Sequence, residues 1–379
     1  MSQRKGILFS LAILLLSAFF VAPLVYSQEL VQDKTEIVKA RVIDVLSEST
    51  EDIVNTGIES LNQTIKVEIL EGEQKGLEVT LENDYVSLEE GDTFFLYHSI
   101  DGIDGREIYS VRDVNRIPVI LFFIALFIGV VLLFSGKQGV RSLLGLLGSF
   151  FVIVYLLIPA LLHGYPPILT SVFVATVILF LAIYLTHGFN RVSTVAFTGT
   201  VIAVTLTGIL AYVGVTFAHF TGFATEEAFY LNLNTRGTLD FTGLLLGGIM
   251  IGVLGVLDDI AVTQAAVVRE LYNSAPNLSK KEVYKKALSV GKEHVGALVN
   301  TLALAYTGAS LPLLLLFSSS NSLGVSVINQ EIFATEIIRT VVGSIGLILT
   351  VPITTLLAVY VLKNYKGVAS ISHANHTHV

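Results

Sequence analysis

The sequence predicts an α-helical polytopic membrane protein with about eight transmembrane helices. A small extracytoplasmic all-β domain, an OB-like barrel, is expected between the first and second helices. Of the 379 residues, 53% are hydrophobic and 14% are charged, whereas soluble domains average about 25% charged residues. From Ile117 onward, apolar runs long enough to cross a bilayer follow one another. Residues 28–116 differ, because they hold 21 of the 31 acidic residues. These observations predict an acidic soluble segment set within a membrane-embedded chain.

The first 27 residues have two interpretations. Arg4 and Lys5 precede an apolar run of roughly 20 residues. Val25 and Ser27 suit the −3 and −1 positions of a signal-peptidase site, so the segment could be a cleaved signal peptide. The run is also longer than a usual signal-peptide core, so residues 1–27 could be a retained transmembrane helix or signal anchor. We favour retention.

Residues 28–116 have the pattern of short strands. TIKVEIL and GLEVTLE alternate apolar and polar residues, and EGEQKG between them supplies a turn. VKARVIDVL, TFFLYH and EIYSV are three further candidate strands. About five strands in fewer than 90 residues suggest a small closed or partly open barrel of OB-like size. A nucleic-acid-binding barrel should be basic, so the acidic composition argues against nucleic acid as a partner.

Residues 117–366 are predicted to form a seven-helix bundle. The predicted spans are residues 117–136, 142–162, 168–187, 193–218, 240–268, 293–317 and 333–362. The loops on one side carry 13 of the 23 Lys and Arg residues, so the positive-inside rule makes that side cytoplasmic. Both termini are then cytoplasmic, residues 367–379 form a cytoplasmic tail, and the expected location is the plasma membrane.

The segment NLSKKEVYKKALSVGKEHV precedes the seventh predicted span. Ser279 and Glu282 fit a capping box at a helix start. Val283, Tyr284, Ala287 and Leu288 follow as one apolar stripe opposite the lysines. The stripe predicts an amphipathic helix on the inner membrane surface, or a helix that only connects two spans.

Asp258 and Asp259 interrupt the glycine-rich run GVLGVLDDIAVTQ in the sixth span. A carboxylate at the centre of a spanning helix costs roughly 2.5–3.5 kcal/mol on insertion scales. Helical spacing places Asp259 on one face with Gly248, Gly252, Gly255 and Thr263, and small residues at this spacing predict a tight helix-packing seam. Two adjacent carboxylates repel each other and burial disfavours their charge, so we expect at least one to hold a proton. A proton carrier is one interpretation, and a carboxylate pair at the membrane boundary is the other.

The seventh and eighth spans contain further polar residues. Asn300 and Thr301 lie at the predicted depth of Asp259, so they are candidate partners for it, or they hold helices together by hydrogen bonds. Glu336 and Arg339 are three residues apart and predict an interfacial ion pair. His373, His376 and His378 are too loosely spaced on a terminus to predict a metal site.

Several classes of function are excluded or disfavoured. The chain has no cysteine, which excludes disulfides, thiolate catalysis and thiolate metal sites. It has no Walker A, dinucleotide-binding, HExxH or nucleophile-elbow motif. The two aspartates also lie on one helix, whereas a di-aspartate protease needs them on two. We therefore expect neither an enzyme nor a cofactor.

The second half of the sequence resembles the YibE/F-like family of bacterial multi-spanning membrane proteins. The segments that carry the resemblance are GVLDDIAVTQ (255–264), GKEHVG (291–296), VNTLALAYTGASLPLLLLF (299–317) and EIIRTVVGSIGLILTVPITT (336–355). An N-terminal span, an outer β domain and a helical bundle match the layout of that family. The resemblance implies a membrane transport role.

A looser similarity concerns half of an RND-type transporter or a SecD-like subunit. Those proteins place an Asp in a glycine-rich span, where it relays protons, and Asp259 occupies the corresponding position. Such a half has six spans and this chain has about eight, so the similarity is an analogy of mechanism alone.

Two functional hypotheses follow. The first is a proton- or ion-coupled permease or export accessory for an unknown small solute. The second is a non-transporting scaffold whose β domain binds an envelope protein. The lipid bilayer is a partner under both hypotheses, and both are compatible with a homo-oligomer.

Overall fold

The computed structural model of the protein describes residues 34–52, 59–101, 105–318 and 324–363. The chain divides into two compact units, residues 1–126 and 127–379, and each is described by itself. The predicted N-terminal helix or signal anchor (1–27) and the predicted tail (367–379) lie outside the described residues.

The first unit contains a five-stranded antiparallel sheet, curved into a half-barrel, in the order β3-β2-β1-β4-β5. The strands are β1 (Lys34–Asp52), β2 (Glu59–Ile69), β3 (Glu78–Asn83), β4 (Thr93–Ile100) and β5 (Glu107–Val114). Strand β1 pairs with both β2 and β4, and register irregularities after Val42 and Val45 allow it to bend. The five predicted strands are confirmed as one sheet, although β1, with 19 residues, is longer than predicted. In the described part, β3 and β5 are edge strands, so an OB-like closed barrel stays a prediction.

The predicted alternation of apolar and polar residues produces the core of this sheet. In β2, Ile65, Val67 and Ile69 are at most 1% exposed, while the residues between them face outward. Phe94 and Leu96 of β4 are fully buried against them. A period of two places one face of each strand in the core, which is why this pattern could be read from the sequence.

A buried amide network joins β2 to the loop after β3. Gln63 is 2% exposed. Its Nε2 donates to the Leu88 carbonyl at 3.1 Å, and its Oε1 accepts from the Leu88 N–H at 3.0 Å and from Asn83 Nδ2 at 3.0 Å. These bonds satisfy backbone groups that no strand pairs.

Gln63→Leu is expected to destabilise the half-barrel by about 3 kcal/mol, because several buried polar groups lose their partner at about 1–3 kcal/mol each. Hydrogen–deuterium exchange of the full-length protein would measure the loss as faster exchange of amides in residues 59–88. Asn62→Leu on the exposed side of the same strand is the control. Equal exchange in the two variants would contradict the prediction.

The second unit is helical, and helix α1 enters it from residue 117. The helices are α1 (Ile117–Val152), α2 (Ile158–Leu162), α3 (Pro167–His187), α4 (Arg191–Phe217), α5 (Glu226–Asn234), α6 (Phe241–Ser274), α7 (Lys280–Ala309), α8 (Leu311–Ser318), α9 (Gly324–Ile328) and α10 (Glu331–Leu362). A π-helical turn, Ile153–Leu157, joins α1 to α2.

Among the described residues, five helical segments are long and apolar enough to cross a membrane. They are Ile117–Leu162, Pro167–His187, Arg191–Phe217, Phe241–Ser274 and Glu331–Leu362. The first covers two of the predicted spans and contains a break at Gly136, whose φ of 49° and ψ of −129° are not helical. A positive φ of this size is available to glycine at little cost. The number of eight transmembrane helices stays a prediction.

Helices α4, α6 and α10 pack against one another at the centre of the second unit. Glycines facing threonines allow the close approach: a Cβ on Gly199 of α4 would overlap Thr354 of α10, and one on Gly346 of α10 would overlap Thr207 of α4. Thr207 and Thr354 are fully buried. Close approach through small residues is the usual way in which helices associate in a membrane.

Helix α7 differs from its prediction in one respect. The capping box at its start is confirmed, because the Ser279 side chain accepts from the Glu282 N–H and the Glu282 carboxylate accepts from the Ser279 N–H. The predicted surface helix and the first part of the seventh span are, however, one continuous helix. Val283 and Ala287 are fully buried in a cluster that also contains residues of α6 and α10, the two helices that α7 packs against. The apolar stripe therefore packs on protein, and its position on the inner membrane surface stays a prediction.

Ser279→Ala is expected to lower stability by about 1 kcal/mol, the usual contribution of a cap.

The hydrogen bond from the Ser279 hydroxyl and then that from its N–H hold the pKa of Glu282 below its ordinary value of 4.5. Glu282 therefore contributes fully to the free energy of unfolding above pH 4.5, and this contribution is lost as the pH falls through the lowered pKa. Thermal unfolding measured between pH 3 and 7 should show that acid lowers the stability of Glu282→Gln less than that of the wild type. An identical acid dependence would contradict this account.

Candidate functional site

Helix α6 places both aspartates beside a cleft. Asp258 is half-buried and Asp259 is exposed. Leu254, Leu257 and Ala261 on the neighbouring face of the helix are buried. The position of the pair follows from the way in which α6 packs its aliphatic face inward and leaves the carboxylates at the edge of that contact.

The cleft has a volume of about 490 Å³ and lies between α1, α3 and α6. Most of its wall is aliphatic, and its polar wall consists of Ser142, Ser149, Thr186, His187, Asp258 and Asp259. The Gln138 side chain of α1 donates to the carbonyl of Thr186 at 2.8 Å, which ties α1 to the end of α3. Low-dielectric walls strengthen the interactions of charges placed in such a cleft.

His187 is the titratable side chain that α3 brings to the aspartates. It is the last residue of α3, and it lies close enough to Asp259 for the two charges to interact. Sequence analysis did not single out His187. Its signal was available, because it ends a predicted span on the side to which the basic loops and the second half of α6 were assigned.

In the described part of the chain, the predicted packing seam of α6 has a neighbouring helix close to it only at Gly252, where the Tyr306 hydroxyl of α7 lies 3.0 Å from a Cβ position. Gly248, Gly252 and Gly255 are exposed, and no described atom lies within 4 Å of a Cβ built on Gly248 or Gly255. Thr263 is half-buried and does not line the cleft. The tight contacts fall on the adjacent face, where a Cβ on Gly247 would overlap Ser171 of α3. The packing seam stays a prediction, because in the described part of the chain Gly252 contacts a neighbouring helix while Gly248 and Gly255 do not.

Asn300 and Thr301 were the predicted partners of Asp259. Both are exposed on α7, and the Thr301 hydroxyl donates to the carbonyl of Ala297 at 3.0 Å. Neither residue lines the cleft. The structure therefore brings together Asp258, Asp259 and His187, and it leaves Asn300 and Thr301 outside this group.

The predicted ion pair of α10 is present. Arg339 Nη1 donates to Glu336 Oε1 at 2.7 Å, and both side chains are 27% exposed. The expected position of this pair at the membrane interface stays a prediction. The Tyr306 hydroxyl of α7 lies close enough to both side chains of the pair to interact with them electrostatically.

A buried polar contact that sequence analysis missed joins α6, α7 and α10. Gln264 is 1% exposed. With its amide oriented to match its neighbours, Nε2 donates to Thr355 Oγ1 at 3.0 Å and to the Ala287 carbonyl at 3.3 Å, and Oε1 accepts from the Gly291 N–H at 3.3 Å. Gln264, Gly291 and Thr355 come from three of the segments that carry the family resemblance. Their shared role is to hold these helices together behind the cleft.

The arrangement of His, Asp and Glu side chains decides whether the chain could hold a metal ion. Within the described ranges, no group of three or more His, Asp or Glu side chains is arranged to hold a metal ion. The chemistry that the cleft supports is the exchange of protons between two carboxylates and an imidazole, or the binding of a cation by the carboxylates.

The comparisons with known proteins identify one family. The sequence profile of the YibE/F-like protein family matches residues 123–364, a range that contains both aspartates and His187. The comparisons with curated proteins and with solved structures gave no significant match.

Proposed function

The chain belongs to the YibE/F-like family, and on this premise we propose that it is a proton- or ion-coupled permease or export accessory. The cleft that holds Asp258, Asp259 and His187 carries the proposal. Ionisable groups inside membrane segments are costly, and they mark ion or substrate pathways more often than structural contacts. Asp259 is the exposed member of the pair and takes up and releases the proton.

The residues of the cleft have different roles in the proposed proton exchange. Asp258, half-buried beside Asp259, raises the cost of a second negative charge, so a proton on one carboxylate stabilises the other in its ionised form. His187 also lines the cleft, and it is a second group that can carry the proton. Ser142 and Thr186 supply hydroxyl groups to a hydrated path between these residues and the end of α3.

The topology predicted from the sequence suits this role. The chain crosses the plasma membrane about eight times, both termini are cytoplasmic, and the half-barrel is an OB-like domain outside. In this arrangement the outer domain receives the solute or delivers it to the bundle. Five apolar helices and the family membership support the membrane location.

Infrared difference spectroscopy of the reconstituted protein tests the proposal directly. We expect a protonated carboxyl band from the aspartate pair, because two adjacent carboxylates resist carrying charge together. This band should change in Asp259→Asn and be retained in Asp240→Asn. A band that is identical in the wild type and in Asp259→Asn would exclude proton coupling at this residue.

The alternative is a scaffold in which the half-barrel binds an envelope protein. The observation that favours it is the pair of unpaired edge strands, β3 and β5, in the described sheet, which offer backbone groups to an added strand. Exposed apolar side chains lie on or beside these edges, such as Ile108 and Tyr85 at 56% and 61%. Cross-linking of the full-length protein through β5 to one envelope protein, with carboxylate substitutions affecting stability alone, would favour the scaffold.

A further inference from the structure

One line of residues on α6 remains open after the bundle has packed. Gly248, Gly252, Gly255 and Asp259 are all exposed, and their spacing of four, three and four places them along one side of the helix. The distance from Gly248 to Asp259 is about 16 Å at about 1.5 Å per residue. Glycine has no side chain to fill this side, so the line is the floor of a groove. We name it the glycine groove.

The glycine groove joins two cavities. Gly255 and Asp259 line the acidic cleft already described. Gly248, at the other end, lines a second cavity of about 300 Å³ between α5, α6 and α10. The charged or hydroxyl-bearing residues of that cavity are Thr225, Glu227, Thr335, Glu336 and Arg339.

The second cavity has polar groups in its wall that the described chain does not satisfy. Thr335 is 5% exposed, and its hydroxyl has no hydrogen-bond partner among the described residues. The same holds for Arg339 Nε, although Nη1 of this residue donates to Glu336. A buried unsatisfied group costs about 1–3 kcal/mol, so a polar occupant of the cavity that reached these two atoms would recover that cost.

Tyr306 of α7 crosses the groove at its centre. Its hydroxyl lies 3.0 Å from the position of a Cβ on Gly252, the nearest described atom to that position. This hydroxyl is buried and has no hydrogen-bond partner in the described part of the chain. Tyr306 also lines a third cavity together with Glu336. The Tyr306 hydroxyl therefore lies over the middle of the line of glycines, between its two ends.

The charges at the two ends determine which solute fits. Asp258 and Asp259 stand at one end, with His187 near them. Glu227 and Glu336 stand at the other end, and Arg339 balances one of them. Hydrogen bonds from its own N–H and from Thr225 lower the pKa of Glu227, so this carboxylate is ionised at neutral pH. Carboxylates at both ends attract cations and repel anions.

We propose that the glycine groove is a hydrophilic path for a small cation, with Tyr306 as the barrier between an acidic cavity at each end. This inference rests on the proposed transport function and deepens it. Thr335, Glu336 and Glu227 form the first binding position, the glycines of α6 leave room for the cation beside the helix, and Asp259 forms the second position.

The absence of cysteine from the sequence gives a clean test in the full-length, reconstituted protein. Single variants Gly248→Cys, Gly255→Cys and Ile209→Cys are treated with charged methanethiosulfonate reagents, one with a trimethylammonium group and one with a sulfonate group. A side chain fits at Gly248 and Gly255. Ile209 is 55% exposed on α4 and lines none of the three cavities that surround the groove, so it is the lipid-facing control. We expect the cationic reagent to modify Gly248→Cys and Gly255→Cys at least about tenfold faster than the anionic reagent, and Ile209→Cys to remain unmodified.

The barrier is tested with a double variant. Gly252→Cys should react slowly, and it should react at the rate of its neighbours when Tyr306→Ala is added. The path is overturned if the two groove variants react no faster than Ile209→Cys, as they would if a second copy or another segment covered this face. It is also overturned if the anionic reagent reacts as fast as the cationic one.

The outcomes also separate this inference from the function on which it rests. Groove variants that react as expected, in a protein whose Asp259→Asn variant keeps its proton flux, would leave the path standing and remove the coupling role of Asp259. Loss of proton flux in Asp259→Asn together with unreactive groove variants would leave the coupling role and remove the path.

Discussion

Asp259→Asn is expected to lower the proton flux of the reconstituted protein by at least about 100-fold, the low end of what one positioned acid–base group contributes. Asn keeps the size and hydrogen-bonding ability of the side chain and cannot exchange a proton. Because Asp259 is exposed beside the cleft, its replacement by a neutral side chain should leave the fold unchanged. A pH-sensitive dye trapped inside liposomes would report the flux after external acidification.

The matched control for this prediction lies on the same helix. Asp240 is the N-cap of α6, and its side chain accepts from the Gly243 N–H at 2.9 Å. Asn is as good an N-cap as Asp, so Asp240→Asn should keep both the stability and the flux. Unchanged flux in Asp259→Asn would remove this residue from the mechanism. Loss of the Asp259→Asn protein from the membrane would show that the aspartate is structural.

Gly291→Ala and Gly296→Ala are expected to change the stability of the bundle in opposite directions. A Cβ on Gly291 would overlap the Gln264 amide and would lie 2.5 Å from Val351 Cγ1. Val351 is 2% exposed and β-branched, so it has little freedom to move aside. The overpacking should cost about 1–3 kcal/mol, and it should also weaken the hydrogen bonds of Gln264.

Gly296 lies on the same helix, and no described atom is within 4 Å of a Cβ built there. Alanine at this position should therefore stabilise α7 by about 0.5–1 kcal/mol, because glycine loses more backbone freedom on folding. Thermal unfolding in detergent would measure both variants side by side. Destabilisation of similar size in both would show that the contact around Gln264 does not carry the effect, and that helix propensity or lipid contacts do.

The half-barrel illustrates what a repeating pattern is able to predict. Its strands could be located because apolar residues alternate with polar ones at a period of two, and this period is specific to strands. The same pattern identified the buried positions, such as Ile65 and Val67. It could not show whether β3 and β5 close the sheet, because closure depends on the bend of β1 after Val42 and Val45. No periodicity encodes that bend.

Helix α6 illustrates the opposite case. Its glycines and Asp259 were correctly placed on one side of the helix, but that side was expected to be the packed one. A helix that is apolar almost all the way round has no polar face to indicate its rotation. Which side is packed was decided by the fit of α6 against α3, α4 and α10, of which the close approach of Gly247 to Ser171 of α3 is one example. That fit involves residues far apart in the sequence.

By itself, the sequence determined the features that depend on short range or on composition. The division into an acidic β domain and an apolar helical part follows from the composition of long segments. The capping box at Ser279 and the ion pair between Glu336 and Arg339 need only residues that are three apart in the sequence. Only the tertiary structure decided that His187 lines the same cleft as Asp259 and that Gln264 joins three helices. Those contacts depend on how each helix is rotated and how deeply it sits against its neighbours. Rotation and depth are set by side-chain packing over the whole bundle.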